Sequence, residues 1–255
     1  QLPAHINLVP KFFQDAGYYT SISGWPIRKD RLGKTDYNFE WDQSVYDGSD
    51  WSGRADGQPF FAQIQTPGGK LRGKDAMGWE RVSSAAEQRF GSRTPISAVT
   101  LPPYYPDTPL IRREMARYYD CVTAMDIQVG IILKQLKNDK LNDNTIVFFF
   151  SDHGSGMPRH KRALLDSGMH VPLIIYFPKK WQHLAPSKPG SASDRLVSFV
   201  DFASTILNLT GIHIPITMQG KPFLGPNATT KRRYVFGHRD RVDEVRDLAR
   251  SVRDS

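Results

Sequence analysis

The chain has 255 residues, 39% of them hydrophobic, and its 34 lysines and arginines against 26 acidic residues leave a net charge of +8. That is enough apolar side chain for a core and enough positive charge to favour anionic partners. No apolar run approaches the roughly 18 to 20 residues that span a bilayer, and a single cysteine excludes a disulfide framework within the chain.

Asn7 stands where it can cap a short helix that tolerates Pro10 in its first turn, turns Phe12, Phe13 and Ala16 inward and stops at Gly17. Tyr18 to Ser23 reads as a strand. Ser23 to Gly57 is rich in Gly, Asp, Trp and charge and has no period, so it is expected to run over the active edge of a sheet. Phe60 to Gln65 is the next strand, followed over 66–108 by a long Gly, Pro and Ser-rich loop with one short helix around Ser83 to Arg89. Leu110 to Leu136 is the clearest helix, because Met115, Tyr118, Tyr119, Val122, Met125, Val129, Ile132 and Leu136 recur near the helical period. Asp107 and Thr108 can cap it, and Pro109 suits its first turn.

Thr145 to Phe150 is an unbroken apolar and β-branched run that reads as a buried parallel strand. Pro172 to Phe177 is another strand, and Asp201 to Leu209 with Gly211 is a capped helix. This alternation predicts an α/β domain over 1–255 with a mostly parallel central sheet flanked by helices.

The run 145–150 stops at Ser151-Asp-His-Gly154, and ligands in open α/β sheets sit at the carboxyl ends of the strands. A carboxylate beside an imidazole is a natural half of a divalent metal site, so Asp152 and His153 are the candidate metal ligands. Downstream, Pro158-Arg-His-Lys-Arg162 is a dense cationic run in which Lys161, bracketed by Arg159, His160 and Arg162, suits an oxyanion. Each feature has a plainer reading: a polar turn ending a strand, and a solvated basic loop. The charge comes with no helix-turn-helix, zinc-finger or RNP signature, so small anionic esters are expected in place of nucleic acid.

Together with Ala16-Gly-Tyr-Tyr-Thr20, Lys34-Thr-Asp-Tyr-Asn-Phe39, Pro59-Phe-Phe61, Tyr119-Asp120 with Met125-Asp126, and Gln219-Gly-Lys-Pro-Phe-Leu-Gly225, these motifs resemble the sulfatase family of the alkaline phosphatase superfamily, in the family's order. The resemblance implies an alkaline phosphatase-like fold and hydrolysis of sulfate esters, aryl or carbohydrate. In the family an Asp followed by Asn or His and then Gly closes a metal site. A lysine at the spacing of Lys161 from Pro172 grips the sulfate, with Arg159 beside it. Lys34 is the second sulfate-contacting lysine by resemblance. The family keeps it closer to its Tyr-Thr, whereas Ser21 to Gly33 intervene here, and Lys29 is the alternative. Lys70, in Thr66-Pro-Gly-Gly-Lys70, occupies the place of a family histidine near the leaving oxygen, where a desolvated lysine can act as a general acid.

The family's nucleophile is a formylglycine made from the Cys of Cys-X-Pro-Ser-Arg. Cys121 lies in a helical pattern without that Pro or Arg and reads as a small core residue. The chain is therefore expected to be a piece of a longer protein, incomplete at both ends. The expected cofactors are a divalent metal, Ca2+ before Zn2+ or Mg2+, and a formylglycine upstream; the expected location is periplasmic, secreted or lysosomal. A phosphatase or phosphodiesterase of the same superfamily and a catalytically inactive, sulfated-glycan-binding relative are the alternatives.

Overall fold

In a computed structural model of the chain, the structure describes residues 1–255 apart from 1, 4, 36, 69–79, 81–83, 85, 86, 89, 90, 92, 243 and 255. Of the helix expected around Ser83 to Arg89, Ser84, Glu87 and Gln88 are described and helical, and the candidate Lys70 lies outside the described residues. Two compact units are formed, one from Gln1–Ile64 with Leu141–Ser255 and one from Gln65–Lys140.

The first unit opens with helix α1 (Val9–Asp15) and strand β1 (Tyr19–Gly24). Leu8, not Asn7, precedes α1, and no side chain caps it. The helix is held instead by Phe13, whose ring stacks on Phe61 at 4.3 Å and meets Tyr18 edge-on. Strand β2 (Phe60–Gln65) lies beside β1. β1 is buried along Thr20, Ser21, Ile22 and Ser23, so its polar groups need partners. Asp47 provides them at one point, accepting from both the Thr20 amide (2.8 Å) and the Thr20 hydroxyl (2.9 Å). Ile22 packs with Val45 and Tyr46, flanked by Leu8, Leu32 and Trp41.

Later in this unit come β3 (Val147–Phe150), the short helix that we number α3 (Asp166–Met169), β4 (Leu173–Tyr176), α4 (Val200–Leu209) and a hairpin of β5 (Tyr234–Val242) and β6 (Val245–Asp254). The long helix α2 (Pro109–Asn138) belongs to the second unit. The described residues form three two-stranded sheets, and β3 pairs antiparallel with β4, Val147 opposite Tyr176 and Phe150 opposite Leu173. This corrects the parallel reading of the 145–150 strand. The connection from β3 returns to the end it left, where the Ser151 amide donates to Pro172 O at 3.3 Å, and a chain that returns to the same end can pair only antiparallel. Nor is the strand fully buried. Phe148 packs into the core of Phe177, Phe223 and Leu224, whereas Phe150 is 45% exposed and rests on Phe199 and Phe202.

Asp201 does not cap α4. Its buried carboxylate takes both guanidinium arms of Arg232 and the Lys221 amide (2.8 Å), while Asn208 Nδ2 donates to Leu224 O at 2.7 Å. A side chain at Gly220 would overlap the Val200 carbonyl, so the Gln219–Gly225 segment is shaped to wrap this helix. In the second unit α2 starts as expected, with Thr108 Oγ1 accepting from the Ile111 amide at 3.3 Å. Asp120 is buried and accepts from Thr94 N (2.9 Å) and Oγ1 (2.7 Å), and Cys121 is fully buried beside it.

Candidate active-site loop

The loop from Ser151 to Val171 carries Asp152, His153, Arg159 and Lys161. Its course is set by two glycines. A Cβ at Gly154 would overlap the Ser167 carbonyl, and one at Gly168 would overlap the carbonyls of both Ala163 and His160. Only a glycine lets backbone approach backbone this closely. Gly154 N donates to Gly168 O at 3.0 Å, and Lys161 N to Ser155 O at 2.9 Å, so the loop folds onto itself.

At the strand end, Ser151 Oγ donates to His153 O at 2.7 Å and fixes the turn. His153 Nδ1 lies 2.7 Å from Gly154 O. A carbonyl can only accept, so Nδ1 carries a proton, and in the neutral ring Nε2 is then a bare lone pair. That Nε2 is buried and makes no hydrogen bond, and it stands 3.5 Å from Asp152 Oδ1. Two lone-pair donors facing one another beyond hydrogen-bond length suit a shared cation, and the orphaned imidazole nitrogen is the tautomer a metal takes. They fit one side of a divalent site. Among the described residues no group of three or more His, Cys, Asp and Glu side chains is gathered for a metal.

Arg159 and Arg162 adopt left-handed backbone, φ +67° and +70°, on either side of His160 and the exposed Lys161. Ser167 Oγ donates to the Arg159 carbonyl at 2.6 Å. Burial lowers the pKa of His160, so its ring favours the neutral form. His170 is exposed, with its amide bonded to Asp166 O at 2.7 Å.

Lys34 is carried by a different loop. The insertion after β1 closes at Gly33, whose amide donates to Ile22 O at 2.8 Å and whose Cα lies against the Ser23 backbone with no room for a side chain. Lys34 therefore returns to the carboxyl end of β1 despite the extra residues. Lys29 donates to Ser52 Oγ at 3.1 Å, near Asp50, which ties it to the turn at residues 50–53. The sequence singles out Gly154 as the end of the strand run and Gly33 as the end of the insertion without showing what either meets, and it leaves Gly168 unremarked. The contacts that make them necessary lie about five to fourteen residues away along the chain, beyond what a local pattern conveys.

The sulfatase family model matches residues 1–212. An ulvan-active sulfatase of Formosa agariphila is 33% identical over 99% of this chain and 45% of its own length. An N-acetylglucosamine-6-O-sulfatase of Bacteroides thetaiotaomicron is 35% identical over 43% of this chain and 20% of its own. The chain thus spans about half the length of the first of these, or less. A structure solved in work on glycosaminoglycan metabolism by Bacteroides thetaiotaomicron superposes with a TM-score of 0.70 at 18% identity, covering 100% of this chain and 66% of that one. Such a likeness establishes the alkaline phosphatase-like α/β fold. With the family's pattern running from the first residues to the end of α4, the chain belongs to the sulfatase family.

Proposed function

We propose that this chain supplies the sulfate clamp and one side of the metal site of a sulfuric ester hydrolase that acts on sulfated carbohydrates. The observation that carries this reading is the buried, unpartnered Nε2 of His153 beside the Asp152 carboxylate, on the loop that also presents Lys161. Lys161 and Lys34 donate to the ester's sulfate oxygens, and Arg159 adds positive charge nearby. Asp152 and His153 Nε2 hold the cation, calcium being the first to test and zinc the second because imidazole suits it. When bound, such a cation supplies Lewis-acid polarisation of a sulfate oxygen. Lys70 is assigned to the leaving oxygen on the resemblance alone.

Cys121 is buried within α2 and is not the nucleophile, which we assign to a formylglycine outside residues 1–255. The carbohydrate class is supported by the names of the N-acetylglucosamine-6-O-sulfatase and the ulvan-active sulfatase. Among the described residues no helix is long and apolar enough to cross a membrane, and a periplasmic, secreted or lysosomal location follows from the family.

The test is calorimetric titration of the chain with N-acetylglucosamine 6-sulfate, its 6-phosphate and the neutral sugar. The sulfate ester should bind, the neutral sugar should not, and Lys161→Ala should abolish the difference. Tighter binding of the phosphate would transfer the reading to phosphoryl esters. Aryl sulfate turnover by residues 1–255 alone, lost in Lys161→Ala, would contradict the assignment of the nucleophile.

A further inference from the structure

Two non-glycine residues in left-handed backbone around one lysine are disfavoured and persist only where the surroundings over-determine them. On the Arg159 side the fixing contact is local, from Ser167. On the Arg162 side it comes from far along the chain: Arg239 of β5 donates through Nη1 to the Arg162 carbonyl at 2.6 Å. The other arm of that guanidinium, Nη2, donates to Asp247 Oδ2 of β6 at 2.7 Å. Arg239 Nε is buried and makes no other bond, so these two contacts define the side chain's pose.

The hairpin also grips α3, directly after the loop. Arg253 pairs with Asp166, and Ser251 Oγ lies 3.4 Å from Met169 Sδ. Gly237 has no side chain because Met169 fills that space. All these hairpin residues lie beyond the stretch 1–212 that the family model matches.

We infer that Arg239 is a positioning residue for Lys161, an inference that rests on the reading of Lys161 as the sulfate-gripping cation. Asp247 orients the guanidinium, the guanidinium holds the Arg162 carbonyl, and the turn presents the Lys161 ammonium already aimed at the anion. Arginine suits the task because its rigid plane offers separate N–H groups to a carbonyl and a carboxylate at once.

The experiment is a double-mutant cycle on the full chain, with inorganic sulfate as the titrant and thermal unfolding as the control for folding. Arg239→Ala should weaken sulfate binding about tenfold, and Arg239→Lys, which keeps one donor, should recover part of it. In a Lys161→Ala background Arg239→Ala should add almost nothing, which a merely structural role would not produce. Equal losses in both backgrounds, or an unchanged affinity in Arg239→Ala while Lys161→Ala loses it, would overturn the inference. Should Arg239→Ala fail to fold, Asp247→Asn with Arg239→Lys carries the same test. If Lys161→Ala itself leaves sulfate binding intact, it is the underlying reading of Lys161 that fails.

Discussion

The loops after β3 and β1 each bring a lysine to the carboxyl end of a strand, but they are closed differently. The loop after β3 is pinned at many points: backbone against backbone at Gly154 and Gly168, hydroxyl to carbonyl at Ser151 and Ser167, and guanidinium to carbonyl from Arg239. The loop after β1 closes at Gly33, with Lys29 tied to Ser52 and Leu32 packed on the Ile22, Val45 and Tyr46 cluster. A lysine on a loop pinned backbone to backbone at several points has little to reorganise when an anion arrives, whereas one on a loop closed chiefly by side-chain ties can shift with it. On the proposed function, Lys161 is expected to be the stronger clamp and Lys34 the adaptable one.

The largest effect should come from breaking the closure of the first loop. Gly168→Ala places a methyl against two carbonyl oxygens that cannot both withdraw, and it should cost about 3 kcal/mol or more of stability, read by urea unfolding. A cost below about 1 kcal/mol would mean the loop yields easily. Next comes the asymmetry between the lysines. Lys161→Ala should weaken sulfate binding by about 1.5 to 3 kcal/mol, the worth of a charge-assisted hydrogen bond, and Lys34→Ala by less. Equal losses would erase the distinction between the two loops. Gly33→Ala should cost about 1 to 2 kcal/mol, because an exposed loop can move aside in part, and it should lower sulfate affinity no further than Lys34→Ala does.

These distinctions were only partly legible in the sequence. β2 falls on the expected residues Phe60–Gln65, and α2 exceeds the expected 110–136 by a residue or two at each end, since local period and capping decide both. Asp152 and His153 could be picked out because a long apolar run ends beside them, and Lys161 from its basic run and its spacing from Pro172. What the residues could not convey was any contact between distant segments: the antiparallel return to β4, the Gly33 closure, the use of Asp201 to bind Arg232, and the β5–β6 hairpin that reaches Arg162. Local pattern carries the direction of a strand's side chains but not which neighbour it finds.

The smallest effect concerns pH. Burial holds the pKa of His160 below its ordinary value, so below about 6.5 the unfolded chain takes up a proton that the native loop resists. The stability is fully present above that ordinary value and is lost as pH falls toward the folded pKa. Unfolding curves at pH 7.5 and 5.5 should therefore diverge more for the native chain than for His160→Gln. An identical divergence would place the titrating group elsewhere.

If the loop after β3 grips an oxyanion through Lys161, a crystal grown with selenate will show it. Anomalous scattering should locate a selenate with an oxygen accepting from Lys161 Nζ in the native protein, and that selenium peak should vanish in Lys161→Ala. Selenate ordered only elsewhere, with Lys161 meeting none, would contradict the account.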